Sequence, residues 1–236
     1  MDVQRGDSIK DRLTHILDQI DRATQRSGRE PGTVRLVAAT KTVSADRIRE
    51  AIAAGLTIAG ENRLQEALPK IEALKGESIC WHFIGRLQRR KVRSVVGVFE
   101  LIQSVDSVEL AHEVDRRAGS AGLRQDVLLE VNIGAEPTKA GFSSDALEGA
   151  LRKLAGCRHV RIRGLMTIPP PVMDVEEVRP YFRRMRELAE QSTRLDIPEI
   201  AMNELSMGMS TDYHVAIEEG ATMVRVGTAL FGTRHE

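Results

Sequence analysis

The chain repeats one unit eight times: a short apolar, β-branched run, a polar turn, an amphipathic stretch and then glycine. The runs are Val34–Thr40, Ile58–Asn62, Trp81–Gly85, Phe99–Val105, Asp126–Ile133, Val160–Ile168, Glu199–Met207 and Met223–Phe231. Near-continuous apolar stretches such as Leu36-Val37-Ala38 and Val127-Leu128-Leu129 suit parallel strands covered on both faces. Between the runs lie helical patterns with readable ends. Ser44 can cap a helix carrying Ile48, Ala51 and Ile52, and Gly55 closes it. Leu64, Ala67, Leu68, Ile71 and Leu74 keep helical spacing up to Gly76, as do Leu147, Ala150, Leu151 and Leu154 between Ser144 and Gly156. Pro180 suits the first turn of a helix bearing Phe182, Met185, Leu188 and Ala189. Ser210 and Gly220 bracket a short helix containing Val215 and Ile217. A leading helix over residues 8–27 places Ile9, Leu13, Ile16, Leu17, Ile20 and Ala23 on one face.

Eight strands alternating with helices predict an α/β fold, a single (β/α)8 TIM barrel with one extra N-terminal helix. A doubly wound open sheet is the structural alternative. Barrels of this kind often use about 200–250 residues as one unit, and no Gly/Ser/Pro-rich linker or charge block divides the chain. The 236 residues therefore read as one domain, 1–236.

Composition removes several functional classes. No apolar run approaches the roughly 18 residues needed to span a bilayer, and Met1–Arg5 leads into a polar helix instead of an apolar signal core. Lys and Arg number 34 and so do Asp and Glu, so no bulk field recruits nucleic acid. Two cysteines, Cys80 and Cys157, exclude a disulfide framework and suit a reducing cytoplasm. The two C-x-H pairs they open, Cys80-Trp81-His82 and Cys157-Arg158-His159, invite a zinc site. They enter the barrel bottom on separated strands, and a metal site is set aside.

In a barrel the chemistry gathers at the C-terminal strand ends, and phosphate is often held after strands 7 and 8. Lys41 closes the first run, whereas the other six lysines fall on helices or loops. Apolar neighbours would strip its hydration, lower its pKa and free the amine to attack a carbonyl. The plain alternative is a lysine snorkelling from the rim. Ser206 and Gly208 at the seventh run, with Gly227 and Thr228 at the eighth, resemble a phosphate cradle. Barrel closure sets the eighth strand beside the first, which brings the cradle and Lys41 onto one rim. Arg225 shares a strand face with Gly227. It is either one half of an internal salt bridge, with Glu61 or Glu204 as partner, or a donor to a ring nitrogen.

Taken together, the segments Leu36–Thr42, Gly60-Glu61-Asn62, Trp81–Gln88, Gly164–Pro169, Leu205–Ser210 and Met223–Gly232 resemble the pyridoxal phosphate homeostasis protein family, itself similar to the N-terminal barrel of alanine racemase. The resemblance runs in order across nearly the whole chain. It implies a fold-type III barrel that binds pyridoxal 5'-phosphate (PLP) as an aldimine on Lys41. Ser206, Gly227 and Thr228 would contact the phosphate and Arg225 the ring nitrogen, with Asn62 and Met207 against the cofactor. Gln88-Arg89-Arg90-Lys91 departs from the family's Gln-x-Asn-Lys at Arg90, which puts local loop contacts in doubt. Lys139, in the family-like loop Glu136–Gly141, either meets incoming PLP or is solvated.

The expected protein is a cytoplasmic, monomeric PLP carrier or buffer without a reaction of its own, whose partners are PLP and apo-PLP enzymes. A fold-type III amino-acid racemase is the alternative. Racemisation needs an acid/base group on each face of the substrate. The second base in alanine racemases is a tyrosine from a C-terminal domain, whereas this chain ends at Glu236 and places Tyr181 and Tyr213 on outer helices. A barrel aldolase using Lys41 toward a phosphorylated sugar is a further reading. Arg225 and the lack of a carboxylate proton shuttle beside Lys41 count against it.

Overall fold

Burial on both faces is what the apolar runs require, and a closed parallel barrel wrapped in helices supplies it. The computed structural model describes residues 8–198 and 200–232. Its strands are β1 (Arg35–Ala39), β2 (Ile58–Glu61), β3 (Cys80–Phe83), β4 (Leu101–Val105), β5 (Gln125–Glu130), β6 (Val160–Met166), β7 (Ile200–Ser206) and β8 (Met223–Val226). All pair in parallel in sequence order, and β8 closes onto β1 through Leu36↔Val224 and Ala38↔Val226. That closure excludes the doubly wound open sheet.

The helices are α1 (Ile9–Arg26), α2 (Ala45–Ala53), α3 (Leu64–Ala73), α4 (Val108–Ser120), α5 (Leu147–Leu154), α6 (Arg179–Thr193), α7 (Tyr213–Glu218) and α8 (Thr228–Phe231). Between β3 and β4 a 3-10 turn, Arg89–Ser94, takes the place of a helix. The extra helix α1 starts with a reciprocal cap. The Ser8 hydroxyl accepts from Asp11 N, and the Asp11 carboxylate accepts from Ser8 N. It packs on α7 and α8 and buries Ile9, Leu13, Ile16, Ile20 and Ala23. Leu17 departs from the expected face and is exposed, as is Leu68 on α3.

Two further differences concern boundaries. The run Met223–Phe231 is not one strand, because Gly227 breaks it and Thr228–Phe231 turns into α8. The helix after β5 is entered through a 3-10 turn capped by Ser143, whose hydroxyl accepts from Ala146 N, and not by Ser144.

Inside the barrel, Val37, Ile58, Leu101, Leu128, Met166 and Met223 form a small apolar plug. Below it, at the N-terminal strand ends, Arg35 pairs with Glu204 at 2.5 Å and Arg161 pairs with Asp126. The plug and these ion pairs close the bottom. The C-terminal ends stay open to ligands.

Candidate functional site

A polar chain lies across the barrel interior, and sequence reasoning missed most of it. The Gln103 amide nitrogen on β4 lies 2.9 Å from His82 Nδ1 on β3, and Ser206 Oγ on β7 donates to Gln103 Oε1 at 2.7 Å. Arg225 on β8 donates through Nη1 to Ser206 Oγ (2.6 Å) and Ser206 O (2.9 Å), and through Nη2 to Thr167 O (2.7 Å). Every member is buried. Burial, with Arg35 nearby, holds the His82 imidazole down at about 4, so it is neutral at physiological pH and its Nδ1 accepts from the amide. The network fixes the Arg225 guanidinium in place. Desolvation pulls that group down to about 10, with the Glu130 and Asp212 carboxylates opposing the shift. Neither Glu61 nor Glu204 pairs with Arg225: Glu61 is bound by Lys70 and Glu204 by Arg35.

Above Arg225 opens a cavity of roughly 1050 Å³ at the C-terminal strand ends. Lys41, Asn62, Arg225, Gly227 and Thr228 all line it. Those five expected residues converge. Ser206 and Met207 do not line the cavity, and both are fully buried. The register explains why. Ser206 pairs with Met223, the first residue of β8, so it lies below the cavity floor. Its hydroxyl is consumed by Gln103 and Arg225.

The hydroxyl that does reach the cavity from this side is Ser210, four residues further on. The chain turns there through Gly208, at φ +91°, where a Cβ would lie 2.6 Å from that of Ala216. Asp212 Oδ1 accepts from Met209 N at 2.6 Å, and Arg225 N donates to Gly208 O at 3.0 Å. These bonds tie the turn to β8 and set Ser210 on the same rim as Thr228. In the sequence Ser210 is a helix bracket and the last residue of the family-like segment Leu205–Ser210, but not an expected phosphate contact.

Lys41 does not sit in an apolar nest. β1 ends at Ala39, and Lys41 stands in the following turn, exposed at the lip of the cavity. The next residue, Thr42, has φ +63°, a strained value for a β-branched side chain. Its hydroxyl donates to Lys41 O and its N–H to Glu66 Oε2. Behind the turn, Lys70 Nζ donates to both Thr40 O and Glu61 Oε1 at 2.7 Å, and Thr40 Oγ1 donates to the same carboxylate oxygen at 2.7 Å. Glu61 is completely buried. This ion pair braces the backbone that carries Lys41.

On the facing wall, Glu130 ends β5 and lines the cavity, another residue the sequence reading passed over. Lys139 also lines it, pairs with Glu136 at 2.6 Å and donates to Pro169 O at 3.3 Å. Lys139 is thus pinned across the mouth instead of freely solvated. Arg90 is exposed and, among the described residues, donates only to Gln88 Oε1 two positions earlier, 3.0 Å away, so the departure from the family pattern stays local. Among the described residues, no group of three or more His, Cys, Asp or Glu side chains is placed to hold a metal ion.

The profile of the alanine racemase N-terminal domain matches residues 12–235. A pyridoxal phosphate homeostasis protein of Aquifex aeolicus (strain VF5) is 47% identical over 224 residues, which cover 95% of this chain and 97% of that one. This chain belongs to the pyridoxal phosphate homeostasis protein family. The family member of Escherichia coli (strain K12) is 37% identical over 229 residues, covering 96% of this chain and 97% of its own. The structure of PipY from Synechococcus elongatus PCC7942 with PLP bound superposes with a TM-score of 0.85 at 38% identity, covering 95% of this chain and 100% of PipY. An alanine racemase of Clostridium difficile 630 shares the barrel alone, with a TM-score of 0.68 at 15% identity, 96% of this chain and 58% of the racemase.

Proposed function

We propose that this protein binds PLP in the cavity above Arg225, holds it covalently but reversibly through Lys41, and stores or delivers it within the cytoplasm. One observation carries the reading. An amine (Lys41), a fixed guanidinium (Arg225) and two hydroxyls (Ser210 and Thr228) line a single cavity, in a chain 38% identical to a PipY structure with PLP bound. The donor set suits the ligand. PLP carries an aldehyde, a phosphate and a pyridine nitrogen, and each has a partner type here. The side-chain amide oxygen of Asn62, Oδ1, is buried at the cavity wall without a hydrogen-bond partner among the described residues, and is the kind of group a ligand completes.

PLP, when bound, supplies an aldehyde that condenses reversibly with amines. Lys41 Nζ would be the amine that holds it, and the exposed position of Lys41 at the lip would leave it within reach of a second amine. Ser210 Oγ, Thr228 Oγ1 and the small Gly227 would receive the phosphate on the β7–β8 side of the rim. Ser206 acts one step back, as the hydroxyl that positions Arg225. Arg225 would donate to the ring nitrogen. A guanidinium does not give up its proton at physiological pH, so it leaves that nitrogen unprotonated and the ring a weak electron sink.

This argues against a dedicated reaction at Cα of an amino acid. Neither Tyr181 nor Tyr213 lines the cavity, so neither stands ready as the second base of a racemase. Among the described residues, no helix is long and apolar enough to cross a membrane, and Cys80 and Cys157 are both free thiols. The test is transfer. The PLP-loaded protein, freed of unbound cofactor, is expected to activate an apo-PLP enzyme in solution. Rapid Cα–H exchange of an amino acid in deuterium oxide, dependent on Lys41, would replace the carrier reading with a racemase-type enzyme.

A further inference from the structure

Glu130 occupies a position that neither the lysine nor the phosphate cradle explains. Counting by two from Leu128, which packs inside the barrel, sets Glu130 on the same inward face one layer higher. It lines the cavity with Arg225, Arg86 and Lys139. Among the described residues, its carboxyl makes no hydrogen bond and no salt bridge. Charged groups act on it from four segments: Arg225 on β8, Arg86 after β3, Lys139 after β5, and Asp106 after β4.

We propose that Glu130 balances the charge of Arg225 before a ligand enters, and that its protonation sets how tightly an anionic ligand is held there. The inference rests on the reading of this cavity as a PLP site. An entering phosphorylated aldehyde brings negative charge into the volume that Glu130 faces, and draws on the same guanidinium. Ionised Glu130 opposes it, whereas protonated Glu130 does not and can donate a hydrogen bond. Burial, reinforced by Asp106, pushes the Glu130 carboxyl up to about 7 although Arg225, Arg86 and Lys139 pull the other way. Both forms are therefore populated near neutral pH. Ligand binding favours the protonated form, so by linkage retention tightens below neutrality and relaxes above it. A carrier built this way releases its cargo in response to a modest rise in pH.

The test compares PLP dissociation constants of the wild-type protein and Glu130→Gln across the neutral range. Their ratio cancels every pH dependence that the two proteins share. It is expected to stay near unity at about pH 6 and to reach about tenfold, wild type weaker, at about pH 8.5. Independently of any variant, the Glu130 carboxyl carbon of isotope-labelled wild type is expected to titrate near 7 by NMR and to move upward on loading with PLP. A ratio constant with pH, or a midpoint unmoved by loading, overturns the assignment while leaving PLP binding intact. No PLP binding by wild type at any pH overturns the cofactor reading instead, and this inference with it.

Discussion

Arg225 Nη1 lies 2.6 Å from Ser206 Oγ, and the same nitrogen reaches the Ser206 carbonyl at 2.9 Å. The serine that looks like a phosphate ligand in the sequence is thus a holder of the guanidinium. Ser206 and Ser210 become separable in function. Ser210→Ala and Thr228→Val each remove a hydroxyl that faces the cavity. Each is expected to weaken PLP binding about ten- to hundredfold, since a hydrogen bond to a charged group contributes about 1.5–3 kcal/mol. Ser206→Ala is expected to shift the visible spectrum of bound PLP more than its affinity, because it loosens Arg225. Absorbance titrations of the three variants decide this, and equal affinity losses in all three would return Ser206 to the cradle.

Lys41 and Lys139 both line the cavity, so the covalent partner needs a direct experiment. Borohydride reduction of the loaded protein followed by peptide mass spectrometry is expected to place the adduct on Lys41. Lys41→Ala should abolish it, and Lys139→Ala should keep it. Lys139 is committed to Glu136 and the Pro169 carbonyl, whereas among the described residues Lys41 Nζ has no such partner and is exposed at the lip. An undiminished adduct in Lys41→Ala would move the site to Lys139.

Much of this architecture was legible in the sequence, for a simple reason. Parallel strands covered on both faces must be apolar throughout, so all eight announce themselves, and strand order follows from chain order. Lys41, Asn62, Arg225, Gly227 and Thr228 converge because they end adjacent strands. What the sequence hid was depth. Strands are staggered in a barrel, and the Ser206↔Met223 register sinks Ser206 below the floor while Ser210 rises to the rim. Lys41 was expected among apolar neighbours, but a two-residue overhang past Ala39 carries it into an exposed turn. Glu130 lay in plain alternation from Leu128. Alternation alone does not separate a cavity-lining carboxylate from one at a solvated strand end, so its role was not legible. The His82–Gln103–Ser206–Arg225 chain joins residues more than a hundred positions apart, and no local pattern reveals that.

The Glu61–Lys70 pair makes a stability prediction with a functional reading. Glu61 is fully buried, and Lys70 is its cation at 2.7 Å. Removing one partner of a buried pair typically costs about 3–5 kcal/mol, because a charge is left unpaired. Lys70→Met is expected to lose stability on that scale by urea unfolding, and Lys70→Met with Glu61→Gln is expected to recover a good part of it. Lys70 also bonds the carbonyl of Thr40, so the single variant should form its Lys41 adduct more slowly. Unchanged stability in Lys70→Met would mean that water replaces the ammonium.

Acid stability turns on His82. Its folded-state value lies at about 4, against about 6.5 when unfolded. Between those values the unfolded chain binds the proton and the folded protein does not. Stability therefore falls as pH drops through this window, by an amount on the order of 3 kcal/mol when both limits are passed. Glu130 works in the opposite direction. Its folded value is raised to about 7, so it withdraws stability as pH rises from the ordinary carboxylate range toward neutrality. The two windows overlap between about 4.5 and about 6.5, and there the opposite slopes cancel, so the wild-type contribution of the pair should be nearly flat. His82→Gln keeps a polar side chain beside Gln103 but cannot take up the proton, and it is expected to unmask the Glu130 slope, with stability falling as pH rises through this window. Glu130→Gln is expected to unmask the His82 slope, with stability falling as pH drops through it. Urea midpoints measured from about pH 4 to about pH 8 provide the check. Profiles of the two variants that run parallel to the wild type would overturn both assignments.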